Sequence, residues 1–152
     1  DLGQMPGTPL YISPEAIKTP QAVDTRSDVY SFGALGYFLL TGVPVFDGTS
    51  VVEVCARHLH DKPVAPSERL GSPIPQSLES LFLACLRKVP SERPETAEAI
   101  VDMLDDATDC PRWSREDAMR WWRDRAPAVR SQSALAALGE QQTLAVDFHD
   151  RA

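Results

Sequence analysis

The sequence predicts a mainly α-helical protein, and three observations carry that prediction. Apolar residues recur with the spacing of a helix face in several segments, and residues typical of helix ends flank those segments. No segment has the convincing alternation of a half-buried strand. The 13 prolines among 152 residues indicate short helices joined by stiff connectors.

The composition is that of an ordinary globular chain, with 43% hydrophobic and 24% charged residues. The net charge of -7 disfavours nucleic acid and anionic membrane surfaces as partners. Cys55, Cys85 and Cys110 are odd in number and widely spaced, which favours buried thiols over a disulfide framework or a zinc site. With no signal-peptide pattern and no apolar run long enough to span a bilayer, we expect a cytoplasmic location.

The first two helices have the clearest end signals. Ser13 is typical of an N-cap, and Pro14 and Glu15 suit the first turn that follows it, before Thr19 and the next proline stop the helix. The second helix is expected over residues 27–42. Its run VYSFGALGYFLL is apolar on every side, which predicts a helix buried all round at the centre of the fold.

Three further helices follow in the predicted order. One begins after the Ser50 cap, and another covers residues 76–88 with an apolar stripe on one face. A proline-rich loop is expected between them at residues 62–75. The last covers residues 96–106 and is expected to turn three apolar side chains inward: Ala97, Ile100 and Leu104.

The chain changes character after residue 109, so we divide it into three parts. Residues 1–109 form the main domain, and residues 110–127 an appended helix in which Ser114 and Asp117 suit a capping box. We expect the three tryptophans of that segment to pack against the main domain rather than to dock a partner. Residues 128–152 lose apolar periodicity and are expected to be a flexible tail or linker.

Three stretches of the main domain occur in a characteristic order: GTPLYISPE, SDVYSFGALGYFLLTG and CLRKVPSERP. From Met5 to Asp106 they closely resemble the C-terminal lobe of a eukaryotic-type serine/threonine protein kinase. The chain has Ser-Pro-Glu where the commoner motif is Ala-Pro-Glu, and in this it resembles bacterial members of the family. The resemblance implies the helical C-terminal lobe of the kinase fold. It also implies a parent protein that uses ATP and Mg²⁺ to phosphorylate serine or threonine hydroxyls of proteins.

The resemblance assigns the substrate-binding loop to Met5, Gly7, Thr8, Pro9 and Ile12. It implies that Thr8 supports catalysis through hydrogen bonds to the family's catalytic aspartate and lysine, although a plain turn role is the alternative. Met5, Pro9 and Ile12 match positions that line the pocket for the residue just after the phosphorylated one. Their apolar character predicts an apolar preference there, while Gly7 and Pro9 restrict the loop's backbone.

The resemblance also pairs Glu15 with Arg93 in a buried ion pair, with two solvated surface charges as the alternative. It implies that Asp28 supports catalysis by accepting hydrogen bonds from catalytic-loop amides, with helix capping as the alternative. The histidines have no carboxylate or second ligand at useful spacing and are expected at the surface: His58, His60 and His149.

Several parts of a complete kinase are missing from the sequence: the glycine-rich loop, the strand lysine and a catalytic loop of the H-R-D type. Residues 1–3, Asp-Leu-Gly, resemble the metal-binding motif but lie too close to Gly7, so we interpret them as a chance match. We therefore assign no ATP-binding, metal-binding or catalytic residue to the chain. We expect a fragment, inactive alone, whose N-terminal lobe and catalytic loop lie elsewhere in the parent.

The expected partners are protein substrates and the rest of the same kinase domain, with no nucleic acid and no direct membrane contact from this fragment. The parent is expected in the cytoplasm or, if it is anchored, on the cytoplasmic side of a membrane. Two other functions stay open at this point. One is a pseudokinase-like scaffolding module, and the other is a free-standing helical adaptor.

Overall fold

The computed structural model describes residues 9–129, with side chains described as far as residue 125. The chain divides into two units, residues 1–110 and residues 111–152, which are described separately. All regular structure within residues 9–129 is helical, which confirms the mainly α prediction. The first unit contains α1 (Pro14–Lys18), α2 (Thr25–Thr41), α3 (Val51–His60), α4 (Pro66–Leu70), α5 (Gln76–Cys85) and α6 (Ala97–Asp105), and the second contains α7 (Arg115–Val129).

Side-chain caps fix where the helices begin. Ser13, Ser50 and Thr96 each accept a hydrogen bond from the backbone N–H three residues on, at 3.2 to 3.3 Å. These starts of α1, α3 and α6 agree with the predicted ones. Helix α2 begins earlier than predicted because its N-cap is Asp24, whose carboxylate accepts from the Arg26 backbone N–H at 2.9 Å.

Two helix boundaries differ from the prediction. Helix α5 ends at Cys85 rather than continuing to residue 88, and beyond its end the backbone carbonyls of Arg87 and Lys88 accept hydrogen bonds from the Arg93 side chain. Helix α4 lies inside the predicted loop. It is only one turn long and ends at Gly71 in the left-handed region, so it has too few residues to show a periodic pattern.

The core forms where α2 packs against α5. At Gly33 an added Cβ would lie 2.6 Å from the Cys85 Cβ, and at Gly36 it would overlap the Phe82 ring. The two glycines therefore allow the helices to approach closely. The buried side chains around this contact are Val29, Tyr30, Ala34, Tyr37, Leu81, Cys85, Leu86 and Ile100.

The prediction that α2 is buried all round is wrong for the part of the chain that the structure describes. Phe32, Leu35 and Leu39 are 38%, 46% and 73% exposed, and their spacing places them on one flank of the helix. Apolar residues on every side show that a helix can be buried, but they do not supply the neighbour that buries it. The exposed side chains on this flank are apolar, whereas a surface that only meets water usually carries polar ones.

The prediction that Ala97, Ile100 and Leu104 of α6 all face inward is only partly correct. Ile100 is buried against the core, whereas Ala97 and Leu104 are exposed. Leu104 lines a groove of about 580 Å³ together with Phe32 and other residues of α2 and α6. The apolar stripe of α6 therefore reaches past its contact with the core.

The second unit begins with a reciprocal cap. The Ser114 hydroxyl and backbone N–H donate to one Asp117 carboxylate oxygen at 2.6 and 3.0 Å, and the Asp117 N–H donates back to the hydroxyl at 3.0 Å. This is the predicted capping box. Helix α7 runs on to residue 129, through Pro127, where the prediction ended it. The proposed packing of the tryptophans stays a prediction, and residues 130–152 lie outside the described residues.

Candidate functional site

The candidate site is the segment that leads into α1. Pro9–Tyr11 form a single 3₁₀ turn, which the Ile12 backbone N–H closes by donating to the Pro9 carbonyl at 3.5 Å. Pro9 and Ile12 are both partly exposed, so their side chains are partly accessible from solvent. Three other residues predicted for this loop lie outside the described residues: Met5, Gly7 and Thr8. The Asp-Leu-Gly motif at residues 1–3 lies outside them as well.

The central helix holds this segment at two points. The Ser31 hydroxyl of α2 donates a hydrogen bond to the Tyr11 backbone carbonyl at 2.9 Å. The Tyr11 ring meets the edge of the Phe38 ring, with 6.5 Å between centroids and 88° between planes. One hydrogen bond and one aromatic contact therefore fix the turn against the core.

The next contact along the segment is the ion pair of Glu15 and Arg93. Arg93 Nη1 donates to Glu15 Oε1 at 2.7 Å, and Nη2 donates to Oε2 at 2.8 Å. The Arg93 side chain is 0% exposed and the Glu15 side chain 12%. The structure therefore brings together two residues 78 positions apart, through the two parallel hydrogen bonds that a guanidinium and a carboxylate allow.

The rest of the Arg93 guanidinium binds backbone carbonyls. It donates to the carbonyls of Arg26 and Arg87 at 2.7 Å each, and to that of Lys88 at 3.2 Å. With the two bonds to Glu15, these contacts match the five N–H donors of the group. The cation is buried without an unsatisfied donor, which offsets much of its desolvation cost.

The Glu15 carboxylate has a further donor in Ser27, whose hydroxyl lies 2.6 Å from Oε1. Burial alone would raise the pKa of Glu15, but the hydrogen bonds from Arg93 and Ser27 outweigh it and lower the pKa to about 2. The carboxylate is thus ionised at neutral pH. The first turn of α2, the start of α1 and the segment before α6 meet at this one charge.

Asp28 lies in the first turn of α2 with its side chain exposed. It does not cap the helix, because Asp24 does, so the alternative role considered for Asp28 is wrong. Its side chain borders the apolar groove of about 580 Å³, beside Thr25 and Phe32. The arrangement places an exposed carboxylate among the residues that line the groove, where it can accept hydrogen bonds.

The surface position expected for His58 is wrong. His58 is 0% exposed, its Nδ1 lies 2.9 Å from the Tyr30 hydroxyl, and its ring meets the Phe46 ring edge-on at 5.0 Å. Burial, and to a lesser degree the charge of Lys88, lowers the pKa of His58 to about 4, with a weak opposing effect of the Leu10 backbone. Helical spacing could have revealed this burial, since His58 shares a face with two buried residues of α3.

Lys88 has a structural role that its sequence context does not reveal. Its Nζ donates to the His58 backbone carbonyl at 2.7 Å and lies 4.4 Å from the centroid of the Phe46 ring. The ammonium thereby satisfies a carbonyl in the last turn of α3, where a cation also suits the helix dipole. Burial lowers the pKa of Lys88 to about 8, and the charge of Asp61 partly opposes this.

The cysteines are free thiols, and Cys55 and Cys85 are buried as predicted, while Cys110 is only partly so. Burial raises the pKa of Cys85 to about 12, which keeps it a protonated thiol. No three acidic, histidine or cysteine side chains within residues 9–125 are placed to hold a metal ion. Nor does any helix in the same part of the chain have the length and apolar character to cross a bilayer.

The family model described as "Protein kinase domain" matches residues 2–103. Among curated proteins, the chain is 39% identical over 100 residues to the serine/threonine-protein kinase PksC of Streptomyces coelicolor, an alignment that covers 66% of this chain and 18% of PksC. It is 44% identical over 91 residues to the serine/threonine-protein kinase PknB of Mycolicibacterium smegmatis, and that alignment covers 60% of this chain and 14% of PknB. It is 40% identical over 94 residues to the serine/threonine-protein kinase pkn3 of Myxococcus xanthus, and that alignment covers 61% of this chain and 17% of pkn3. The chain therefore spans less than a fifth of the length of these relatives.

Proposed function

Because this chain belongs to the protein kinase domain family, we propose that it supplies the substrate-facing loop and the helical scaffold of a serine/threonine protein kinase. Its helices are those of the C-terminal lobe, and its relatives are bacterial kinases of the eukaryotic type. The proposed reaction transfers the γ-phosphate of ATP to a serine or threonine hydroxyl of a protein. ATP and Mg²⁺ are used by the family generally, and no step is assigned to them through the described residues.

The observation that carries the proposal is the buried pair of Glu15 and Arg93. A loop that receives a peptide has to keep its shape while side chains of different sequence bind to it. The ion pair joins the start of α1, where the loop ends, to the polypeptide before α6. The hydrogen bond from Ser31 to the Tyr11 carbonyl joins the loop itself to α2. The segment is thus pre-organised, which lowers the entropy lost when a substrate is bound.

The substrate preference is proposed from the side chains that the loop offers. Pro9 and Ile12 are partly exposed and apolar, which supports a preference for an apolar residue just after the phosphorylated one. Met5 completes this lining in the proposal, and Thr8 carries the selectivity for serine and threonine through its hydroxyl. In the proposal Gly7 acts with Pro9 to hold the loop in a defined, open shape for the substrate.

Asp28 is proposed as the support for the catalytic loop. Its exposed carboxylate lies in the first turn of α2, among the residues that line the groove, and can accept hydrogen bonds from backbone amides. It belongs to the same helix that holds the substrate loop through Ser31. In this arrangement one helix sets the distance between the substrate and the catalytic groups.

A cytoplasmic location, or the cytoplasmic side of a membrane, is part of the proposal. The three cysteines are unpaired, which fits a reducing compartment, and the ATP that the reaction needs is made there. The proposed partners are protein substrates and the remainder of the same kinase domain.

The test is phosphoryl transfer by the complete gene product that contains this chain. Purified protein is incubated with ATP labelled at the γ-phosphate and a generic protein substrate, with and without a magnesium chelator. We expect label on serine and threonine, its loss with the chelator, and much weaker transfer by Asp28→Asn. A folded protein that binds partners but transfers no label would instead be a pseudokinase-like scaffold.

A further inference from the structure

Ser31 behaves unlike an ordinary serine inside a helix. A hydroxyl in that position commonly bonds a backbone carbonyl one turn back in its own helix, as Thr41 does to Tyr37 at 2.8 Å. Ser31 instead donates to the Tyr11 carbonyl, which lies outside α2 and 20 positions away, at 2.9 Å. The hydrogen bond therefore joins two separate parts of the fold.

The same face of α2 carries the other contacts to this segment. Ser27 lies one turn before Ser31 and donates to Glu15, and Phe38 lies two turns after it and packs against the Tyr11 ring. Among these contacts, that of Ser31 is the one that fixes the loop backbone itself. A ring contact allows sliding, whereas a bond to a carbonyl sets the height of the 9–12 turn above the helix.

We infer that Ser31 is a positioning residue that sets how deeply the substrate loop receives the residue after the phosphoacceptor. The inference rests on the proposed function, because it assigns the turn at Pro9–Ile12 to substrate binding. Ser31 reaches the substrate only through the Tyr11 backbone. Loss of its hydroxyl lets Pro9 and Ile12 shift relative to α2, which weakens capture of an apolar side chain without removing a group from the reaction.

The first test is kinetic and uses the complete gene product. Ser31→Ala is compared with Ser31→Thr, which keeps a hydroxyl, and with Ser80→Ala, which removes an exposed hydroxyl from α5. The substrates are two peptides that differ only in the residue after the phosphoacceptor, leucine or aspartate. For Ser31→Ala we expect KM for the leucine peptide to rise roughly two- to tenfold with kcat unchanged, the range of one neutral hydrogen bond.

The expected KM for the leucine peptide in Ser31→Thr is within about twofold of the unmodified protein, as for Ser80→Ala. An unchanged KM in Ser31→Ala would overturn the inference. An equal rise in KM for both peptides would overturn it too, since the loop would then not distinguish the residue after the phosphoacceptor.

The second test needs no kinase activity, so it separates a failure of this inference from a failure of the proposed function. Amide hydrogen exchange is measured in the same variants for residues 10–13 and for α5. We expect Ser31→Ala to exchange several-fold faster in residues 10–13 only, with protection recovered in Ser31→Thr. If the protection of that segment does not change, Ser31 does not position it, whatever the protein phosphorylates.

Discussion

His58 and Tyr30 meet inside the protein, with the imidazole Nδ1 2.9 Å from the phenolic oxygen. This contact joins α3 to the central helix, and Lys88 binds the carbonyl of the same histidine at 2.7 Å. A buried imidazole beside a cation stays neutral, because burial and the neighbouring charge both oppose protonation. The attachment of α3 therefore depends on a histidine that carries no charge.

The first prediction concerns the pH dependence of stability. The pKa of His58 falls from its ordinary value of 6.5 to about 4 in the folded protein, so the unfolded chain binds the proton more tightly. The contribution to stability is complete above pH 6.5 and is lost as the pH falls towards 4. The loss is about 3 kcal/mol, and a urea unfolding series between pH 7.5 and 4 measures it.

The matched variants for this measurement lie on the same helix. His58→Gln removes the His58 titration and should flatten the pH dependence between pH 6.5 and 5, above the range in which the lowered pKa of Glu15 contributes, even if its stability at pH 7.5 is lower. His60→Gln, at an exposed position two residues on, should leave the slope unchanged. Parallel slopes for the two variants would contradict a buried neutral His58.

A second prediction concerns the ion pair. Arg93→Ala leaves the Glu15 carboxylate buried without its main partner and frees three backbone carbonyls, so the free energy of unfolding should fall by about 3–5 kcal/mol. The control is Arg87→Ala, which removes an exposed guanidinium and should change stability by no more than about 0.5 kcal/mol. Chemical denaturation of the complete gene product compares them. Equal midpoints for the two variants would be incompatible with the pairing.

Close packing at Gly36 gives a third prediction. Alanine favours a helix over glycine by about 1 kcal/mol, but its Cβ at this position would overlap the Phe82 ring. We expect Gly36→Ala to destabilise the protein by about 1–3 kcal/mol despite the better propensity. Thermal unfolding measures the change. Combining it with Phe82→Leu should cost less than the sum of the two single variants, and strict additivity would show that the ring does not limit this position.

Lys88 supplies a fourth prediction. Lys88→Met keeps the apolar stem and removes the donor to the last turn of α3, so amide exchange should accelerate in α3 and leave α6 unaffected. We expect a loss of about 1–2 kcal/mol in the free energy of unfolding. Lys62→Met, at an exposed position, is the control and should behave like the unmodified protein. Unchanged exchange in α3 for Lys88→Met would show that the ammonium does not hold the helix end.

Sequence reasoning predicted the features that depend on local chemistry or on motifs. Ser13 and Ser50 cap helices because a hydroxyl followed by free backbone N–H groups needs nothing from the rest of the fold. The contact between Glu15 and Arg93 was expected only through the family resemblance. Nothing in either local sequence points to the other across 78 residues.

The features that were missed depend on tertiary contacts. Helix α5 ends at Cys85, and the carbonyls of Arg87 and Lys88 beyond it bind the Arg93 side chain, a contact that no property of residues 86–88 indicates. The outer flank of α2 was predicted to be buried because its sequence is apolar, but burial also requires a neighbour. Ser31 is one hydroxyl in an apolar run, and only the path of the loop shows what it binds.

The five donors that Arg93 uses have one more implication, for a substitution usually regarded as mild. Lysine would preserve the positive charge at this position, but its ammonium has three donors on a single atom and no planar fork. It could not face the carboxylate and three carbonyls in different directions at once, so at least two of those five contacts would be lost. At position 93, the geometry of the cationic group matters as much as the sign of its charge.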